Sequence, residues 1–425
     1  MPAKNRIIID TDPGVDDTLA MLLAFASSPQ EVEVAMLSVS YGNIPVQGCL
    51  KNIVTLFHVI DKELAWRRAN GLPGGFDTLE KCQPIVAVGP EHALEEELLV
   101  EDGFHGRDGL HGVHEAHPHL TPEDTWKSLF KDGEPEAEAL KSFHSLFKPS
   151  KTPAHLEILR LLREEPEGTI TICVIGPMTN VAMAAAEDPE TFLRVKELVI
   201  MGGAVDCPGN ITPLGEFNTY ADAVAAARVF ALTSATPAST MPIVPQRMAN
   251  LPPYPDHLPK QLKLSLFPLD ITTPHVIRKD FFFESIAPHR VAGSPLATWV
   301  ETFMKGTFRQ IEKMSGQLST NPGLQLHDPM TIWYVISQDD PKWEIAQGGP
   351  EDIRIETSGQ WSHGMLIRDR RGIKRHGGND SLQEVPGDEF GWLSARRGNR
   401  IHRYVSTPGR EQFAVLLMER IFGRL

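Results

Sequence analysis

Along this chain, short β-branched apolar runs alternate with stretches whose apolar residues fall at helical spacing. "RIIID", residues 6–10, is continuous and β-branched, as expected of a strand buried on both faces. "DDTLAMLLAFASS" follows, with Leu19, Leu22, Leu23 and Ala26 on one helical face. "VEVAMLSVS" reads as a second strand and "GCLKNIVTLFHVI" as a second helix. "PIVAVG" is another strand, "TITICVIG" leads into the helix "PMTNVAMAAAE", and "ELVIMGG" is a further strand. This alternation predicts an α/β fold: a mostly parallel, doubly wound (Rossmann-like) sheet with helices on both faces. In such sheets ligands bind beyond the carboxyl ends of the strands. "DTDPG", "SYGN", "VIGP" and "IMGG" each follow a strand, so they should gather at one rim.

Three stretches break the pattern. Residues 90–153 are polar, residues 234–260 are Pro-rich, and residues 372–400 are irregular before the closing helix "REQFAVLLMERIF". Strand–helix patterning resumes around the first two. The expectation is one domain over 1–425 with surface insertions near 90–153, 234–260 and 372–400.

Composition narrows the function classes. A net charge of −14 argues against nucleic acid or an anionic membrane as the main partner. Cys49, Cys82, Cys173 and Cys207 form no C-x-x-C and read as reduced thiols. No apolar run reaches transmembrane length, and Asp10 and Asp12 interrupt the only N-terminal one. A cytoplasmic protein is expected.

The chemistry concentrates in "DTDPGVDD", residues 10–17, where four of eight residues are Asp. Pro13 and Gly14 make a turn, and Asp16 and Asp17 open the next helix. Asp16 and Asp17 could simply cap that helix. Four carboxylates behind a buried strand, however, repel one another unless a cation joins them. Oxygen-only ligands on a turn suit a hard cation, Ca²⁺ or Mg²⁺.

"IIIDTDPGVDD" resembles the N-terminal signature of the nucleoside hydrolases of the inosine–uridine preferring type. Further similar segments follow in order: "YGN" (41–43), "FHGRDGLHG" (104–112), "VIGPMTNVA" (174–182), "VIMGGA" (199–204), "GEFNTYADAVAA" (215–226), "PLDITT" (268–273) and "HDP" (327–329). The resemblance implies one α/β domain, a bound Ca²⁺ and hydrolysis of the N-glycosidic bond of ribonucleosides. It implies Asp12, Asp17, Asp328 and the main-chain carbonyl of Ile175 as metal ligands, and Asp12 as general base. Asp16 would grip the ribose diol. Asn43, Asn210, Glu216 and Asn218 would meet the sugar, and Met201 would wall it. His327 would sit near the base as a proton donor, and His105 would enter from a loop. The implied partner is a small-molecule ribonucleoside, and the implied assembly a homodimer or homotetramer.

This chain departs from the family pattern in places. Ala223 stands where Pro is usual after Asp222, which should alter a helix start. The path from Met201 to Asn210 is one residue longer than usual, which weakens the assignment of Asn210. The aromatic or His residue of the helix before "HDP" has several candidates: Trp299, Trp333 and Tyr334. Two other readings compete. A haloacid-dehalogenase-type phosphatase would use Asp10 as nucleophile and Asp12 as acid/base, but it leaves the Asp16–Asp17 pair and "EFN" unexplained. A non-catalytic nucleoside- or sugar-binding relative would keep the fold and lose turnover.

Overall fold

The structure is a computed structural model that describes residues 4–94, 103–131, 145–242, 251–255, 258–316, 321–373, 387–394 and 396–423. Thirteen strands occur among these residues. In chain order they are β1 (Asn5–Thr11), β2 (Val32–Val39), β3 (Ile85–Val88), β4 (Lys148–Pro149), β5 (Ile170–Val174), β6 (Glu197–Met201) and β7 (Leu264–Phe267). There follow β8 (Val276–Arg278), β9 (Gly323–Gln325), β10 (Glu344–Ile345), β11 (Ile353–Ile355), β12 (Leu366–Arg368) and β13 (His402–Ser406).

The main sheet has the order β10-β13-β7-β6-β5-β1-β2-β3-β4. Its pairings are parallel except for the edge pair β10–β13. β1 lies at the centre between β5 and β2, which is why Ile7, Ile8 and Ile9 are all fully buried. Alternate residues feed two cores. Ile7, Ile9, Cys173 and Val199 pack on one face, while Ile8, Ile172, Val174 and Leu198 pack on the other. Burial of each such aliphatic side chain contributes about 1.5–3 kcal/mol. A slip of one residue in β1 would turn every one of these side chains to the wrong face.

The strands and helices expected from periodicity form close to where the pattern puts them. The four helices read from sequence are Val15–Phe25, Val46–Ala69, Thr179–Glu187 and Arg410–Phe422. Four short strands of the main sheet, β4, β7, β10 and β13, are not visible in that pattern. In β13, "HRYVS", only Arg403 is buried and Val405 is exposed, so it lacks a continuous apolar run, yet it pairs in parallel with β7. Part of the polar region 90–153 also enters the core: Leu110, Val113, Trp126 and Phe147 are buried. No helix among the described residues is long and apolar enough to cross a membrane.

The parallel arrangement sends the carboxyl ends of β1, β2, β5 and β6 to the same rim. Asp12, Asn43 and Ile175 lie just past those ends, and Met201 closes β6.

Candidate active site

A cavity of about 420 Å³ opens at this rim. It is lined by Asp16, Asn43, His105, Ile175, Met201, Asn210, Glu216, Asn218, His327 and Asp328. Ten residues singled out in the sequence therefore share one pocket. Asp12 and Asp17 lie beneath it, tied in through Asn43. The Asn43 N–H donates to Asp12 Oδ2 at 2.7 Å, and Asn43 Nδ2 donates to Asp17 Oδ2 at 3.0 Å.

The acidic turn is held by its own backbone. Asp17 Oδ1 accepts from Thr11 Oγ1 at 2.7 Å and from the Asp12 N–H at 3.2 Å, while Oδ2 accepts from the Gly14 N–H at 3.0 Å. Asp17 thus closes the first turn of the helix Val15–Phe25, as the capping reading foresaw. It also faces other carboxylates. One oxygen each of Asp16, Asp17 and Asp328 lies within 4.8 Å of the others. Asp12 Oδ1 is buried and has no hydrogen-bond partner among the described residues. Gly176 makes room for it, since a Cβ there would stand 2.6 Å from Asp12 Oδ1.

The electrostatics of this cluster are unfavourable without a cation. Burial, then the charge of Asp17, raises the carboxyl of Asp12 well above its ordinary range. The same two causes raise Asp16 to about 7. Burial, then Asp16 and Asp17, raises Asp328 likewise. Among the described residues, no Lys or Arg lines the pocket. Among the described residues the site therefore offers several oxygen ligands and no Lys or Arg, which fits a hard metal ion. The tightest carboxylate group contains Asp16, whereas the resemblance assigned Asp12 to the metal and Asp16 to the diol. The Ile175 carbonyl, also assigned to the metal, accepts from Asn218 Nδ2 at 3.1 Å.

The sugar-side residues are braced as well. Glu216 caps the helix Phe217–Ala221 through the N–H groups of Asn218 (2.9 Å) and Thr219 (3.0 Å), and accepts from the Gly203 N–H at 2.7 Å. Burial still raises its carboxyl above the ordinary value. Asn210 Oδ1 accepts from the Phe217 N–H at 2.8 Å, so the longer path from Met201 still delivers Asn210 to the pocket. With Ala223 in place of Pro, the helix Ala223–Ala231 starts at that residue, and Asp222 caps it through the Ala225 N–H at 2.9 Å.

Two histidines complete the rim. His105 Nδ1 accepts from the Val15 N–H at 3.0 Å, and a Cβ on Gly14 would lie 2.6 Å from that nitrogen. Burial lowers the His105 pKa to about 4. His327 is held at both nitrogens, Nδ1 by Thr272 Oγ1 at 2.7 Å and Nε2 by Gln325 Oε1 at 3.0 Å. Burial, then His105, lowers its pKa to about 4, so at neutral pH it is a neutral imidazole.

Phe104, Phe217, Ile311, Met314, Ser315, Gly323, Leu324 and Gln325 also line the pocket and were not singled out in the sequence. Ile311 and Met314 belong to the helix Pro295–Met314, which precedes "HDP". That helix contributes aliphatic and thioether side chains in place of an aromatic one. Trp299, Trp333 and Tyr334 do not line the pocket; they are core residues, and Trp333 stacks on Phe413 at 4.3 Å. Asp10 is also outside the pocket. It projects to the opposite face of β1, where Oδ1 accepts from Asn180 Nδ2 at 2.8 Å. It is not placed as a nucleophile, which removes the phosphatase reading.

Known proteins agree with this geometry. Residues 7–390 match the family model described as inosine-uridine preferring nucleoside hydrolase. A protein of Schizosaccharomyces pombe, C1683.06c, is 30% identical over 91% of this chain and 96% of its own length. The pyrimidine-specific ribonucleoside hydrolase RihA of Klebsiella pneumoniae (strain 342) is 29% identical over 92% of this chain and 97% of its own. Among solved structures, the plant nucleoside hydrolase PpNRh1 superposes with a TM-score of 0.65 at 21% identity, covering 99% of both chains. A purine-preferring ribonucleoside hydrolase from Gardnerella vaginalis gives 0.64 at 18% identity, covering 98% of both, and shares the fold. The chain belongs to the inosine–uridine preferring nucleoside hydrolase family and is a hydrolase acting on the N-glycosyl bonds of ribonucleosides.

Proposed function

We propose that Asp12 is the general base of this hydrolase and that Asp12, Asp17, Asp328 and the Ile175 carbonyl hold a Ca²⁺ ion beneath the ribose. The observation that carries the reading is the buried cluster of Asp12, Asp16, Asp17 and Asp328 with one Asp12 oxygen left unpartnered among the described residues. When bound, the ion would neutralise these carboxylates, hold the ribose 2′- and 3′-hydroxyls and make a water more acidic.

The chain's own residues supply the remaining steps. Cleavage of the ribosyl C–N bond builds oxocarbenium character, as in glycoside hydrolysis. The surrounding carboxylates stabilise that positive charge. Asp12 removes a proton from the attacking water, whose oxygen bonds to the anomeric carbon as the bond to the base breaks. Asp16 orients the ribose diol, while Asn43, Asn210, Glu216 and Asn218 fix the other sugar oxygens. Met201 shields the ribose from solvent. His327 and His105 face the base, and His327 donates to the leaving group once its contact with Thr272 or Gln325 opens. The same family resemblance supports a cytoplasmic homodimer or homotetramer.

A crystal structure grown with Ca²⁺ and ribose tests this arrangement. The expected result is one ion bound by Asp12, Asp17 and Asp328. An ion that leaves out Asp328, or none at all, contradicts it. Turnover also separates this reading from a non-catalytic binding relative, which would bind ribose and release nothing.

A further inference from the structure

The segment "PLDITT" (268–273) follows β7, and its Asp270 does not line the cavity. Asp270 faces the loop that leaves β6. Its Oδ2 accepts from the Val205 N–H at 2.9 Å and from Cys207 Sγ at 3.4 Å, and its Oδ1 accepts from the Asp206 N–H at 2.7 Å. Burial, then Asp270, raises the Cys207 thiol to about 12, so it stays an S–H donor at neutral pH. The neighbouring Leu269 N–H donates to Gly203 O at 2.8 Å. From the outer side Asp206 pairs with Arg368 at 2.8 Å, Arg370 at 3.0 Å and Arg403 at 3.4 Å. The base of this loop is therefore gripped from two sides. Asn210 follows three residues after Cys207, exposed to solvent and lining the cavity.

We infer that Asp270 is a positioning residue for the hydrolysis, fixing the loop 202–210 so that Asn210 meets the 5′-hydroxyl of the ribose. The inference rests on the ribonucleoside-hydrolase reading and deepens its sugar side. With the 2′- and 3′-hydroxyls given to the ion and Asp16, the 5′-hydroxyl is the one left for a polar side chain. Hydrogen bonds from backbone N–H groups to a carboxylate are charge-assisted and roughly twice as strong as neutral ones. A misplacement of about 1 Å at a positioning contact can cost about 10²-fold in rate. An exposed loop tip meets that tolerance only if its base is fixed, and Asp270 fixes it without touching substrate.

Uridine and inosine, each compared with its 5′-deoxy analogue, isolate this role, because each pair shares the base, the diol and the bond that breaks. A site built to bond the 5′-hydroxyl should favour the parent nucleoside in kcat/KM by about a hundredfold or more in the wild type. Asp270→Asn turns an NH₂ toward the loop N–H groups, and Asp270→Ala removes both acceptors. Each should lower that ratio by about tenfold or more, chiefly through loss on the parent nucleoside. In an Asn210→Ala background, Asp270→Ala should leave the ratio unchanged within about twofold, since the two residues act as one unit. Equal losses on parent and analogue, failure of both variants to fold, or an undiminished further fall in the Asn210→Ala background would overturn the inference. So would a wild-type ratio near one, or ratios that neither variant changes. If the wild-type protein released ribose from neither parent nucleoside, the ribonucleoside-hydrolase reading itself would fail, a result distinct from all of these.

Discussion

Asp12 combines full burial, an unpartnered oxygen among the described residues and three neighbouring carboxylates. Asp12→Asn keeps the shape and one oxygen but cannot accept a proton. Turnover should fall by about 10²–10⁴ while ribose affinity holds, as read by single-turnover kinetics beside ribose titration. Near-normal turnover would remove Asp12 as the base. His327 lines the cavity with both ring nitrogens bonded to protein, so a role at the leaving group requires one of those contacts to open. His327→Ala should damage natural nucleosides strongly and nearly spare 4-nitrophenyl riboside, whose leaving group departs as a stable anion. Equal losses on the two would assign His327 to positioning. At this scale the carboxylates of residues 10–17 were legible because charge clustered behind a buried strand has few explanations, whereas Asn43, Asn210, Glu216, Asn218 and Asp328 were indicated only by the family resemblance. Ile311, Met314 and Gln325 were not, because nothing local distinguishes an apolar helix end or a strand-end Gln that lines a cavity from one that meets solvent. Their role comes from tertiary placement.

The loop "FHGRDGLHG" shows how an element delivers one residue. Gly106, Gly109 and Gly112 all take positive φ, which lets the chain fold back on itself. The loop is pinned through Asn52, whose Nδ2 donates to Pro13 O and Asp108 O, both at 2.9 Å, while its Oδ1 meets His114 Nε2 at 2.8 Å. The acidic turn and the His105 loop thus share one anchor. Burial holds His114 below its ordinary pKa, against the pull of Asp108 and with a push from Lys51. A histidine with a lowered folded pKa binds fewer protons in the native state. Its contribution to stability is present above the unfolded pKa of about 6.5 and is lost as pH falls below it. The protection factors of amides 105–114 should therefore fall below about pH 6.5 before those of the sheet do. Protection unchanged down to about pH 5 would contradict this. The strand–helix alternation was legible because its periods differ, whereas β7 was too short, and β13 too polar, to stand out.

At the scale of the molecule, the loops after β1, β2, β5 and β6 of the described sheet meet at one rim, and that rim concentrates negative charge. An ion that binds only the folded chain stabilises it by mass action, about 2.7 kcal/mol at a hundredfold excess over its Kd. Chelation should lower the Tm, and added Ca²⁺ should restore it, as followed by differential scanning calorimetry. A Tm indifferent to chelator and Ca²⁺ would mean that the carboxylates are relieved some other way. The rim was legible from the sequence because every loop that builds it follows a strand. The base-side wall was not, since it is closed by a helix end and a two-strand pair distant in sequence.

The most direct test is ribose release from uridine, cytidine, inosine and adenosine by the wild-type protein, measured with Ca²⁺, with chelator, and with Ca²⁺ restored. The account predicts free base and ribose in equal amounts from at least one nucleoside, loss of that activity under chelation, and recovery with Ca²⁺. No ribose from any of the four in Ca²⁺, or equal activity with and without the metal, would contradict it.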